Sequence, residues 1–194
     1  MGTASRMMAQ PIRAFIAVKV PASEELRAVL RELASLGRAV KPVEPENLHV
    51  TLKFLGNTDP GLTSAICDIM RRAVRGQPPL RMPVSGLGVF PHVARPSVIW
   101  AGLEQAMPLV HVAATLDSEL AGLNFEPEKR PLQPHVTLAR IKRRPPPQLK
   151  TLIAQYQGTA FGEVTVSAIE LFQSELRPEG PRYTVLASVP LEAS

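Results

Sequence analysis

Residues 49–52 and residues 135–138 carry the same four amino acids, His-Val-Thr-Leu. Each copy alternates polar and apolar residues, the period of a β-strand with one buried face. In the first copy His49, Thr51 and Lys53 fall on one face and Val50, Leu52 and Phe54 on the other. In the second, His135 and Thr137 oppose Val136 and Leu138. The apolar sets must face a core, so each strand presents an imidazole and a hydroxyl away from it. Two such strands bordering one cleft bring two imidazoles and two hydroxyls into a small volume. A lone His-x-Thr is more often structural than functional; a matched pair points to a site.

Imidazole titrates near neutrality, so one ring can accept a proton while the other, charged, donates one. Threonine hydroxyls can donate to the non-bridging oxygens of a phosphate. That set meets the needs of phosphodiester cleavage: a base for the attacking water and an acid for the departing oxygen. The four scattered histidines and single cysteine offer no metal-ligand spacing. No GxxxxGK[ST] loop is present to cradle ATP phosphates. The expectation is an enzyme working without metal or cofactor. The residues alone do not say which histidine is the acid.

Around the repeat, periodicity predicts strands over 14–20, 48–55, 80–89, 97–103, 134–141, 163–173 and 183–189. It predicts helices from Ser23 to Gly37, over 60–74, 108–120 and 149–156. Short strand-to-strand links imply antiparallel pairing, hence an α+β fold with antiparallel sheets. Residues 1–11 read as a loose extension. Arg71, Arg72 and Arg75 close the second helix, where its dipole favours positive charge.

Composition narrows the partners. Lys and Arg number 22 against 17 Asp and Glu, a net charge of +5 that mildly favours anions such as RNA. At 45% hydrophobic residues over 194, the chain can bury a core without cross-links. Cys67 is the lone cysteine, so nothing points to an oxidising compartment. No apolar run approaches the ~20 residues that cross a bilayer, and Pro11, Arg13 and Lys19 interrupt any signal-peptide core. A cytoplasmic protein with no membrane partner is expected.

Secondary candidates surround the motifs. Arg140 could grip phosphate bidentately, but strict alternation sets it opposite His135, so it needs a bulge to reach the cleft. Lys53 shares the face of His49 and could contact substrate. Arg13 and Phe15 could border the cleft, with core packing favoured for Phe15. Lys142, Arg143 and Arg144 could follow phosphates, although a solvated loop is the simpler role. Trp100 or Phe90 could stack on a base, though Trp100 sits in an apolar strand. His92 and His111 lack the pattern and read as structural or surface residues.

Beyond the tetrapeptides, the stretches Arg13-Ala-Phe-Ile-Ala-Val18, Asn47-Leu-His-Val-Thr-Leu-Lys-Phe-Leu-Gly56, Gly88-Val-Phe-Pro91, Val98-Ile-Trp-Ala-Gly102, Pro134-His-Val-Thr-Leu-Ala-Arg140 and Leu171-Phe-Gln-Ser-Glu-Leu176 stand out. Through them the chain resembles the 2H phosphoesterases, named for paired His-x-Thr or His-x-Ser motifs. Within these it is similar to the bacterial and archaeal RNA 2′,3′-cyclic phosphodiesterases, formerly called 2′-5′ RNA ligases. The resemblance implies one bilobal domain over residues 12–190, with two antiparallel sheets flanked by helices around a central cleft and a pseudo-twofold axis. Residues 1–11 stay outside it.

It also implies hydrolysis of RNA 2′,3′-cyclic phosphate ends to 2′-phosphates, with 2′-5′ ligation as the reverse reaction. The RNA would be, for example, tRNA fragments, and the enzyme a monomer. By position, His49 would be the proton donor and His135 the proton acceptor, while Thr51 and Thr137 hold phosphate. Arg140 and Lys53 are the further substrate-binding candidates. The alternatives are a 2H enzyme acting on a 2′-5′ oligonucleotide or a cyclic nucleotide-sugar phosphate, and a non-catalytic nucleotide-binding module. Intact motifs in both copies disfavour the last.

Overall fold

The computed structural model describes residues 10–178 and 180–192. The extension expected over 1–11 therefore lies largely outside the described residues. In chain order the elements are β1 (Ile12–Lys19), α1 (Glu24–Ser35), β2 (Val40–Pro42), β3 (His49–Thr58), α2 (Thr63–Ala73), β4 (Leu80–Phe90) and β5 (Val98–Leu103). They continue with α3 (Met107–Leu120), β6 (His135–Ile141), α4 (Gln148–Gln155), β7 (Ala160–Val166), β8 (Ala168–Leu176) and β9 (Pro181–Pro190). Local chemistry explains the boundaries. The Ser23 hydroxyl accepts from the Leu26 amide and caps α1, whose Leu26, Val29, Leu30 and Leu33 are buried. Gly37, at φ +86°, ends the turn after it.

Two antiparallel sheets result, one ordered β3-β1-β8-β9 and the other β2-β6-β5-β4-β7. With the short β2 set aside, the orders correspond strand for strand, β3 to β6 and β1 to β5. Helices α2 and α3 pack on the first sheet, and α1 and α4 on the second, so the helices after β1 and β5 each cross to the opposite sheet. This interlocks the halves around a continuous apolar core, and β3 packs against β6 where they meet. No helix among the described residues is long and apolar enough to cross a membrane.

Three sequence expectations are corrected. The run 163–173 is not one strand: β7 pairs with β4 in one sheet and β8 with β1 and β9 in the other. A sheet change at Ser167 leaves the two-residue period unbroken, so periodicity could not reveal it. The three residues of β2 were too few to show a period. Strand β3 runs on through Gly56 and Asn57 to Thr58, because Gly56 takes φ +67° within the ladder.

The most consequential correction lies inside the repeat. Across β1 and β3, Ala17 faces Thr51 and Ile16 faces Lys53, leaving Leu52 as an extra residue. Across β5 and β6, Trp100 faces Thr137 and Ile99 faces Ala139, leaving Leu138 as the extra residue. Both motif strands thus carry a β-bulge directly after the threonine, and a bulge inverts the faces of everything beyond it. Leu52 and Lys53 are consecutively buried, as are Leu138 and Ala139. Phe54, which alternation assigned to the core, emerges 61% exposed. Arg140 turns to the face of His135 and Thr137.

Candidate active site

Both motifs open onto one cleft of about 1300 Å³ between the sheets, and His49, Thr51, His135, Thr137 and Arg140 all line it. Each histidine is the first residue of its strand, and each is held alike. His49 Nδ1 lies 2.7 Å from the Asn47 carbonyl oxygen, and His135 Nδ1 lies 2.7 Å from the Gln133 carbonyl oxygen. A carbonyl only accepts, so Nδ1 carries the hydrogen in both rings, leaving Nε2 to exchange a proton.

Aromatic neighbours fix the ring planes. Phe15 packs on His49 at 5.1 Å, and Tyr183 meets it edge-on at 5.3 Å. Phe15, Ala17 and Phe172 form a small separate core beneath, with Tyr183 against it. On the other wall Phe90 meets His135 edge-on at 5.0 Å, backed by Trp100. Trp100 lies flat across β4 because residue 88 is glycine; a Cβ there would overlap the indole.

Burial lowers the proton affinity of both imidazoles below the ordinary value, outweighing the carbonyl bonds that raise it. The Arg140 guanidinium lowers both further, and His135 acts on His49 in the same sense. Arg140 lines the same cleft as both rings, and its charge acts on each. Tyr183 is raised by burial and lowered in part by Arg140 and Arg13.

Other candidates separate. Arg13 and Lys142 line the cleft; Arg143 and Arg144 are exposed outside its lining. Phe15 is buried, as core packing required. Phe90 and Trp100 buttress His135. His92 and His111 are exposed, away from the cleft lining.

Lys53 is corrected. Its side chain is 1% exposed, its ammonium donates to Asp117 Oδ1 and the Glu126 carbonyl at 2.6 Å each, and Glu128 lies at 3.7 Å. The bulge at Leu52 turns it from the face of His49 into the protein, where it holds the segment leading to His135. Asp117 responds accordingly: burial alone would raise its carboxyl, but the Lys53 bond, the Glu128 amide and the Lys53 charge hold it below the usual range. Tyr183 and Ser174, also lining the cleft, were not singled out from sequence. Their strands join the site only through sheet pairing, which no local pattern announces.

The comparisons with known proteins bear on this geometry. The family model for LigT like phosphoesterase matches residues 16–100 and 103–183. An RNA 2′,3′-cyclic phosphodiesterase from Methanothermobacter thermautotrophicus is 37% identical over 176 residues, covering 89% of this chain and 95% of that one. The crystal structure of a Thermus thermophilus protein superposes with a TM-score of 0.77 at 33% identity, covering 94% and 99% of the two chains. E. coli LigT complexed with 3′-AMP gives a TM-score of 0.72 at 27% identity over 94% and 99%. With two bulged His-x-Thr strands facing across one cleft and a family model matched along most of its length, this chain belongs to the LigT-like phosphoesterases.

Proposed function

We propose that the protein hydrolyses the 2′,3′-cyclic phosphate at RNA ends to a 2′-phosphate, using His49 and His135 as an acid/base pair. The observation that carries this is the matched anchoring of the two rings, each with Nδ1 on a carbonyl two residues back and Nε2 left to move a proton. In the reaction, water attacks phosphorus opposite the 3′-oxygen and gives its proton to His135 Nε2. The phosphorus–O3′ bond breaks as His49 Nε2 delivers a proton to that oxygen, and the 2′-ester remains. Thr51 and Thr137 donate to the non-bridging oxygens, and Arg140, turned inward by the bulge, offsets the charge developing on them. Each proton transfer contributes a factor of ~10² to 10⁴.

The relatives' names and the 3′-AMP complex of E. coli LigT support an RNA substrate. On this reading residues 12–190 act as one bilobal unit. The enzyme is a cytoplasmic monomer working on ends such as those of cleaved tRNA, and the reverse reaction gives 2′-5′ ligation.

The test is an oligoribonucleotide ending in a 2′,3′-cyclic phosphate, incubated with chelator. Conversion to a 2′-phosphate end is expected, with His49→Ala and His135→Ala each at least ~10²-fold slower. Full activity in either variant refutes the paired mechanism. Preference for a 2′-5′ oligonucleotide or a cyclic nucleotide-sugar phosphate in the same assay reassigns the substrate.

A further inference from the structure

The pseudo-twofold correspondence of the sheets pairs Arg140 with Phe54. Each is the third residue after its motif threonine, and each is turned to the cleft face by the bulge between. At this position one wall carries a guanidinium and the other a phenyl ring. Phe54 is among the largest apolar side chains left in water, at 61% exposure. Its ring lies 6.4 Å from Phe15, the ring that packs on His49, so Phe54 extends an aromatic row outward from the reacting centre. Phe15 itself is covered, so Phe54 is the member of that row with a face open to a ligand.

Phe54 also walls a second concavity of about 560 Å³ beside the cleft, together with Gly56, Glu126, Glu128, Lys129 and Arg130. Lys129 and Arg130 line both hollows. Of the acidic groups there, Glu128 already faces the buried Lys53 ammonium. An exposed aromatic face beside two exposed cations is the pairing that single-stranded nucleic acid recognises: the base stacks and the backbone phosphate meets the charge.

We infer that Phe54 is a stacking platform for the base of a nucleotide upstream of the reactive end, with Lys129 and Arg130 meeting its phosphate. This rests on the proposed function and adds to it the place where the RNA chain next to the reactive end is held. Phe54 fills no sealed site in the core. Phenylalanine there leaves apolar surface in water, and an alanine would open no internal cavity.

Stacking on an aromatic side chain is worth roughly 10- to 100-fold in affinity per base. The experiment compares wild type, Phe54→Ala, Phe54→Leu and Phe54→Trp on a 2′,3′-cyclic mononucleotide and on a cyclic-ended oligoribonucleotide of several nucleotides. The ratio of kcat/KM, oligonucleotide over mononucleotide, should fall about 10-fold or more in the Ala and Leu variants, through KM. Tryptophan should restore it. In parallel, fluorescence anisotropy measures each protein's binding to a labelled oligoribonucleotide ending in a 2′-phosphate, which does not turn over. Affinity should drop about 10-fold or more in Phe54→Ala. An unchanged ratio, or equal losses on both substrates, overturns the platform, as does equal binding in the anisotropy arm. Wild type that binds through Phe54 but hydrolyses neither cyclic substrate would instead refute the proposed reaction and leave the platform standing.

Discussion

Replacing Lys53 by Met tests the reading of that residue as an anchor. Methionine matches the buried stem but removes an ammonium that donates to Asp117 and to the Glu126 carbonyl. Deleting one partner of a buried ion pair costs ~3–5 kcal/mol when the other charge stays sealed. Asp117 is 24% exposed and keeps the Glu128 amide at 2.9 Å, so water offsets part of the loss. A cost of ~2–3 kcal/mol follows. For a chain of this length that is a fall in Tm of ~4–12 °C, at ~2–4 °C per kcal/mol. Circular dichroism melts at pH 7 provide the assay.

Two controls sharpen it. Asp117→Leu added to Lys53→Met removes the stranded charge and should recover most of the loss. The depressed Asp117 carboxyl contributes stability above its unfolded value of ~3.9, lost as pH falls through the lower folded value. The gap between wild type and variant should therefore narrow below about pH 4. A single variant within ~1 kcal/mol of wild type, or a double variant no better than the single, refutes the anchor.

Further expectations follow from the cleft. Because both imidazoles sit below the ordinary value, the kcat/KM profile on a cyclic-phosphate substrate should be bell-shaped with its limbs displaced to the acid side of ~6.5. Arg140→Met removes a cation felt by both rings and should move both limbs to higher pH while lowering the rate; unmoved limbs would exclude the guanidinium from the site. Gly88→Ala forces Trp100 off β4 and disturbs Phe90 and His135, costing ~1–3 kcal/mol and altering the near-ultraviolet dichroism of the sole tryptophan. An unchanged spectrum would show that the indole does not lie there. Thr51→Val and Thr137→Val keep shape but remove a hydroxyl, and each should lower kcat by ~10- to 10²-fold with melting temperature within a few degrees of wild type. Retained kcat would place the phosphate elsewhere.

Much of the fold was legible because its elements obey local rules: a serine cap and a 3.6-residue apolar stripe mark α1, and turn residues bracket most strands. What escaped was information carried by pairing between segments distant in sequence. Nothing near residue 52 or 138 announces a bulge, because the extra residue exists only relative to the partner strand. Alternation therefore puts Lys53, Phe54 and Arg140 on the wrong faces, although the need for a bulge at Arg140 can be stated in advance.

The sequence alone determined the chemistry on offer, two His-x-Thr strands whose side chains can pass protons and hold phosphate, because residue type and two-residue period are local properties. Only the tertiary structure decided that the imidazoles converge, that Arg140 joins them while Lys53 turns away, and that Phe54 stands in water. Those outcomes depend on ladder register and on sheets meeting across a cleft, where one unpaired residue reverses which side of a strand faces the core.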